Sequence, residues 1–187
     1  MNDNDGSQCL ILETPRLVIE PLRLEHAAKL YPVLRDPRIY TFISDVAPSS
    51  ESDLEAHFAR YLAGPARDSR ELWFNWAVRL KAGGEYVGTL QATVDLSGRR
   101  AFVAYILGPD RWGMGLASEA LGALLSCLFS RGDVDVAEAA IDTRNERSIR
   151  LVKRLGFELL RVDRKAEFIQ GSWWDEYLFR IFAPGHP

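Results

Sequence analysis

Cysteine and histidine are scarce: two cysteines, Cys9 and Cys127, and three histidines in 187 residues, with no metal-ligand spacing. That excludes a disulfide framework and gives no reason to expect a metal site. Positive charge is also short. With 23 Lys and Arg against 26 Asp and Glu, the net charge is −3, and the broad cationic surface needed for nucleic acid or an anionic membrane is missing. Neither is expected as a partner, although a local basic patch stays open. No apolar run is long enough to cross a bilayer. The opening MNDNDGSQ is acidic and polar where a secretory leader is basic and then apolar, so no targeting segment is expected, and the cytoplasm is the expected location. Internal repeats are lacking, as are Gly-Lys-Ser and Gly-Lys-Thr, which removes a Walker-type loop.

What is present suits one folded domain, expected over residues 10–183 with flexible tails at 1–9 and 184–187: the chain is 47% hydrophobic and 11% aromatic, enough for a proper core. RLVIEPL (Arg16 to Leu22) alternates as a strand. Ala27, Leu30, Val33 and Leu34 recur at helical spacing until Pro37 interrupts. SSESDLEAHFARYL predicts a second helix, capped by Ser50 or Ser52, with Leu54, Phe58 and Tyr61 as its apolar stripe. The period then becomes two in LWFNWAVRL, EYVGTLQATVDL and RAFVAYIL, separated by the turn segments KAGG and SGR, which predicts an antiparallel meander. A glycine loop leads into a helix carrying Leu116, Ala120, Leu121, Leu124 and Leu128, with Gly132 as its stop. A strand VAEAAID, a helix ERSIRLVKRL and two strands joined at QGSW complete the order β α α β β β α β α β β.

The loop is DRWGMGLASEA, Asp110 to Ala120. Glycine inside an element costs about 1 kcal/mol relative to alanine, so Gly113 and Gly115 mark a backbone that bends or is closely approached. A glycine-rich path into a helix N-terminus offers unpaired amides and the positive dipole end to a phosphate. From the loop alone, a phosphate cradle and a plain strand-to-helix turn are equal readings. A dinucleotide fingerprint is opposed by Ser118 in place of the third glycine, by the mid-chain position, and by hairpins where crossover helices are needed.

Taken together, LETPRLVIEPLRLEHAAKLYPVLRDPRI, YILGPDRWGMGLASEAL and NERSIRLVKRLGF resemble the GCN5-related N-acetyltransferase (GNAT) superfamily, and within it the RimJ/RimL branch of ribosomal-protein N-terminal acetyltransferases. The resemblance implies an α+β fold (α/β/α) with a mixed, mostly antiparallel sheet of about seven strands, splayed at the cofactor site and flanked by helices. It implies acetyl-CoA as acetyl donor without a metal. The pyrophosphate would lie on the backbone of Gly113, Met114, Gly115, Leu116, Ala117 and Ser118, after Trp112; Ile106 and Leu107 would pair with the pantetheine arm. Asn145 and Ser148 would face the thiol end. Asn145 also suits a helix N-cap, Gly156 a C-terminal stop, and Ser148 an exposed helix face.

Many relatives carry a proton-donating Tyr four residues before the position of Gly156, where this chain has Val152. The branch resemblance offers Ser148 near the sulfur and Glu167, in RKAEF, as the carboxylate that takes the amine proton through water; Asp142 and Tyr105 rank lower. An α-amine with pKa near 8 loses its proton at pH 7 for about 1.4 kcal/mol, a lysine near 10.4 for roughly 4.6 kcal/mol. One modest carboxylate therefore favours a peptide or protein N-terminal α-amine. Small amines and antibiotics remain as acceptors, and a non-catalytic acyl-CoA-binding domain or a nucleotide-binding module as other classes. Phe42, Trp73, Trp76, Trp173 and Trp174 are the candidates to line the acceptor side; Trp73 and Trp76 suit a core equally well, and of the adjacent Trp173 and Trp174 only one can be core. A homodimer is expected from its general frequency.

Overall fold

The alternating runs of the sequence become the strands of a single sheet in the computed structural model, which describes residues 11–66 and 68–186. Leu10 and the tail readings for residues 1–9 and for Pro187 lie outside the described residues. The elements are β1 (Leu12–Glu13), β2 (Leu17–Pro21), α1 (His26–Leu34), a 3₁₀ helix (Pro37–Phe42), α2 (Glu51–Ala63), β3 (Glu71–Leu80), β4 (Tyr86–Asp95), β5 (Arg100–Leu107), a short 3₁₀ turn (Pro109–Arg111), α3 (Leu116–Ser130), β6 (Val136–Asp142), α4 (Glu146–Arg154), β7 (Glu158–Ile169) and β8 (Ser172–Phe182). The strand order is β1-β2-β3-β4-β5-β6-β8-β7, antiparallel throughout except β5 with β6.

Eight strands replace the expected seven, the addition being two-residue β1, which pairs Leu12 with Ile19 and Glu13 with Val18; a strand that short shows no alternation. Residues 184–186, read from sequence as tail, form a turn in which the His186 amide donates to the Ala183 carbonyl at 3.0 Å and the His186 ring lies 3.2 Å from Asp135. Local chemistry accounts for the helix ends. Ser50 caps α2 by accepting from the Asp53 amide at 3.1 Å, and Gly132 and Gly156 follow α3 and α4 with φ of +77° and +93°, left-handed values that glycine adopts without penalty.

Helices α3 and α4 bury Leu121, Leu124, Leu128 and Val152 against one face of the sheet, while α1 and α2 bury Leu30, Leu34, Leu54 and Phe58 against Ala77 on the other. Where β5, β6 and β8 adjoin, the register aligns Phe102, Glu138 and Arg180. Glu138 is 1% exposed and accepts from Arg180 Nε at 2.9 Å and Nη2 at 2.6 Å, with Arg100 Nε 3.7 Å away. Deleting the carboxylate leaves two partly buried arginines facing each other. Breaking a fully buried pair costs roughly 3–5 kcal/mol; because these arginines reach solvent, Glu138→Ala is expected to cost about 2–3 kcal/mol. Thermal denaturation should show a Tm lower by roughly 4–10 °C, and an unchanged Tm would deny the cluster any role in holding β5 to β6.

Candidate active site

β5 and β6 run parallel but pair only where Arg100, Ala101 and Phe102 meet Val136, Ala137 and Glu138. Beyond that point β5 stays with β4 as far as Leu107, and β6 stays with β8 as far as Asp142. The facing edges of residues 103–107 and 139–142 therefore lack a partner strand, and unpaired backbone groups are costly unless a ligand or water takes them. The parting opens a cavity of about 620 Å³ walled by Tyr105, Ile106 and Leu107, by the glycine loop, by the start of α4 and by the 3₁₀ helix after α1.

The loop is held from both sides. Trp112 Nε1 donates to the Leu107 carbonyl at 2.8 Å, and Arg16 Nη1 donates to the Met114 carbonyl at 2.9 Å while its Nε meets Glu119 at 2.6 Å. Burial opposes the charge on Glu119, but hydrogen bonds from Thr14 and Arg16 outweigh it and hold this carboxyl below its ordinary range. Gly113 and Gly115 both have φ of +77°, and no protein atom would crowd an added Cβ at either, so the backbone angle demands glycine and leaves open space for a ligand. Gly115 is the N-cap of α3 and has no side chain to satisfy the first-turn amides. Trp112, Gly113, Gly115, Leu116, Ala117 and Ser118 line the cavity as expected. Met114 is absent from the lining and is 52% exposed; the expectation at this position concerns its backbone amide.

Six arginines also line the cavity, against the single acid Glu146. Four have carboxylate partners: Arg38 with Asp36, Arg111 with Glu85, Arg144 with Asp142 and Arg150 with Glu146. Among the described residues Arg147, lying over the Trp112 ring at 4.3 Å, and Arg154 have none. A chain of net charge −3 thus keeps uncompensated positive charge beside a helix N-terminus, a donor set that fits the phosphates of a CoA molecule. The sequence reading missed these arginines, although Arg147, Arg150 and Arg154 share one face of a helix by spacing alone.

At the other end, Asn145 Oδ1 accepts from the Ser148 amide at 3.2 Å, so the cap reading holds while both residues also line the cavity. The Tyr105 hydroxyl is buried without a hydrogen bond of normal geometry; burial raises its pKa, and the nearby Ser148 hydroxyl offsets part of that. Val152 is fully buried in the core. Of the five aromatic candidates, Phe42 lines the cavity, and the Trp174 ring stacks 3.3 Å from the guanidinium carbon of Arg144, itself a wall residue. Trp76 is buried against Phe74, Trp173 lies exposed against Phe168, and Trp73 is exposed on β3. Glu167 is not on the cavity wall: it sits on β7 opposite Trp174, one strand beyond. Asp142 is buried and occupied by Arg144.

A carboxylate that the sequence reading overlooked is Glu176, opposite Asp142 on β6 and Asp163 on β7. Burial first, then repulsion from Glu167, Asp142 and Asp163, raises its pKa. A raised folded pKa means the folded state holds this proton more tightly than the unfolded state. The resulting penalty is absent below the ordinary carboxylate value of 4.5, and grows as pH climbs through the raised value. Glu176→Gln is accordingly expected to melt higher than the wild type at pH 7 and to converge with it near pH 4; equal Tm values at both would contradict the electrostatic reading.

A family model described as "Acetyltransferase (GNAT) domain" matches residues 16–158. Uncharacterized N-acetyltransferase p20 of Bacillus licheniformis is 26% identical over 171 residues, 91% of this chain and 94% of that protein. The structure of RimL, a ribosomal L7/L12 alpha-N-protein acetyltransferase in complex with coenzyme A, shares the fold with a TM-score of 0.83 at 18% identity, over 95% of this chain and 100% of that one. Spermidine N-acetyltransferase from Vibrio cholerae, in complex with CoA and spermine, does so with a TM-score of 0.76 at 16% identity, over 91% and 97%. With the family model spanning most of its length, the splayed strands and the glycine-capped helix are explained together: the chain belongs to the GNAT family of acetyl-CoA-dependent N-acetyltransferases.

Proposed function

We propose that this acetyltransferase moves the acetyl group directly from acetyl-CoA to the α-amine at a peptide or protein N-terminus. The observation that carries the donor side is the unpaired edge of β5 leading into the glycine-capped start of α3. Amides of residues 113–118 would hold the pyrophosphate, with Arg147 and Arg154 beside them, and the edge at Ile106 and Leu107 would take the amides of the pantetheine arm. Bound there, acetyl-CoA supplies a thioester whose carbonyl carbon the amine attacks.

The chain's own residues then manage two protons. Ser148, backed by the Tyr105 hydroxyl, would donate to the departing thiolate; a tyrosine is protonated at neutral pH, as a donor must be. Glu167 would take the amine proton through water, with Glu176 beside it. An α-amine needs about 3 kcal/mol less deprotonation than a lysine, which suits so modest a base. RimL, named for an alpha-N-protein substrate, supports the same reading. A small polyamine is the second reading, favoured by the spermidine acetyltransferase likeness and by the carboxylates on β7 and β8.

Thermal unfolding tests the donor side: acetyl-CoA and CoA should raise the Tm, and NAD and ATP should not. Gly115→Val forces a β-branched residue to positive φ at roughly 1–2 kcal/mol and should weaken acetyl-CoA binding by at least about 30-fold in a folded protein; unchanged affinity reduces the loop to a turn. Glu167→Gln should lower kcat about 100-fold with acetyl-CoA affinity intact, and a fully active variant removes Glu167 from the mechanism.

A further inference from the structure

Arg144 sits in the turn after β6, directly before the Asn145 cap of α4, and its guanidinium is held along one edge and stacked on an aromatic ring. Nε and Nη2 donate to Asp142 Oδ1 and Oδ2 at 2.9 and 2.6 Å, and Asp142 is only 2% exposed. The Trp174 ring lies 3.3 Å from the guanidinium carbon and the Phe42 ring 5.5 Å away. The remaining edge, at Nη1, makes no hydrogen bond among the described residues, while the side chain borders the cavity together with Ser148, Tyr105 and Phe42. Stacking and a buried carboxylate hold the fork rigid, so its free donors are already oriented toward one kind of partner.

Resting on the peptide reading above, we propose that Arg144 recognises the acceptor by donating from Nη1 to an oxygen close to the reacting amine. The α-amine of a peptide carries such an oxygen, the carbonyl of its own first residue, two bonds beyond the carbon that bears the nitrogen. A polyamine carries none and brings a second cation against a fixed guanidinium. The carboxylates of Glu167, Glu176 and Asp163 on β7 and β8, near one another though off the cavity wall, would attract any ammonium and do not tell the two acceptors apart. Discrimination falls to Arg144, with Asp142 and Trp174 as the residues that position it.

The test uses the full chain at saturating acetyl-CoA, with thiol release followed for a short peptide bearing a free N-terminus and for spermidine. Four proteins are compared: wild type, Arg144→Lys, Trp174→Leu, and the paired Asp142→Asn with Arg144→Gln, which avoids a lone buried charge. The wild type is expected to favour the peptide by at least about 100-fold in kcat/KM. Arg144→Lys and the paired variant should raise peptide KM roughly 10- to 100-fold, the worth of a charge-assisted hydrogen bond, and Trp174→Leu by less. Acetyl-CoA affinity and the spermidine rate should move by no more than about threefold. Unchanged peptide KM in a folded Arg144 variant, equal loss with both acceptors, or weakened acetyl-CoA binding overturns the role of Arg144 and leaves the peptide reading standing. Turnover of spermidine with none of the peptide overturns that reading and this inference together.

Discussion

Everything at the site follows from where β5 stops pairing with β6. β6 pairs with β8 over all seven of its residues and β5 with β4 to its last residue, while the two join each other only in the stretch near Phe102 and Glu138. Glu138, buried between Arg180 and Arg100, clamps the closed end. Because the two strands run parallel, both end on the same side, and each is followed by a helix. The N-termini of α3 and α4 therefore converge on the open end, which puts two positive dipole ends around one cavity, with the first-turn amides of α3 left uncapped by any side chain and α4 capped by Asn145. Ligands in sheets with parallel strands collect at the carboxyl ends of those strands for the same reason.

Charge divides along the cleft. Arg147 and Arg154 leave one end electropositive, matched to phosphates. Off the cavity wall, Glu176 on β8 lies near Glu167 and Asp163 on β7, and burial first, then repulsion from Glu167, Asp142 and Asp163, raises its pKa. Arg144 stands between the two, neutralised by Asp142 yet open on one edge.

Much of this was legible in the sequence because it is local. Ser50 and Asn145 are caps, and Gly113, Gly115 and Gly156 sit at positive φ; each is dictated by residues within one turn. Period-two runs marked β2 to β5, and the later strands were also read from the sequence; β1 was not, since its two residues owe their conformation to β2. Non-local features escaped. Glu167 lies past register shifts between Leu159 and Arg161 and between Asp163 and Glu167, and no spacing rule says how a bulged hairpin sets a side chain against its neighbours. Glu176 acquires its character from burial and from Asp142 on β6 as well as from its hairpin partner β7, and Arg144 is stacked by Trp174 on β8, 30 residues away.

Hydrogen exchange of the backbone amides, with and without CoA, measures the proposed filling of the cleft most directly. If the cofactor completes the open edge of β5 and the start of α3, protection should rise at residues 103–107, 113–118 and 145–148, with little change at the closed end around Phe102 and Glu138. Protection confined to other segments, or none at saturating CoA, would contradict the assignment of the parted strands as the place where acetyl-CoA is held.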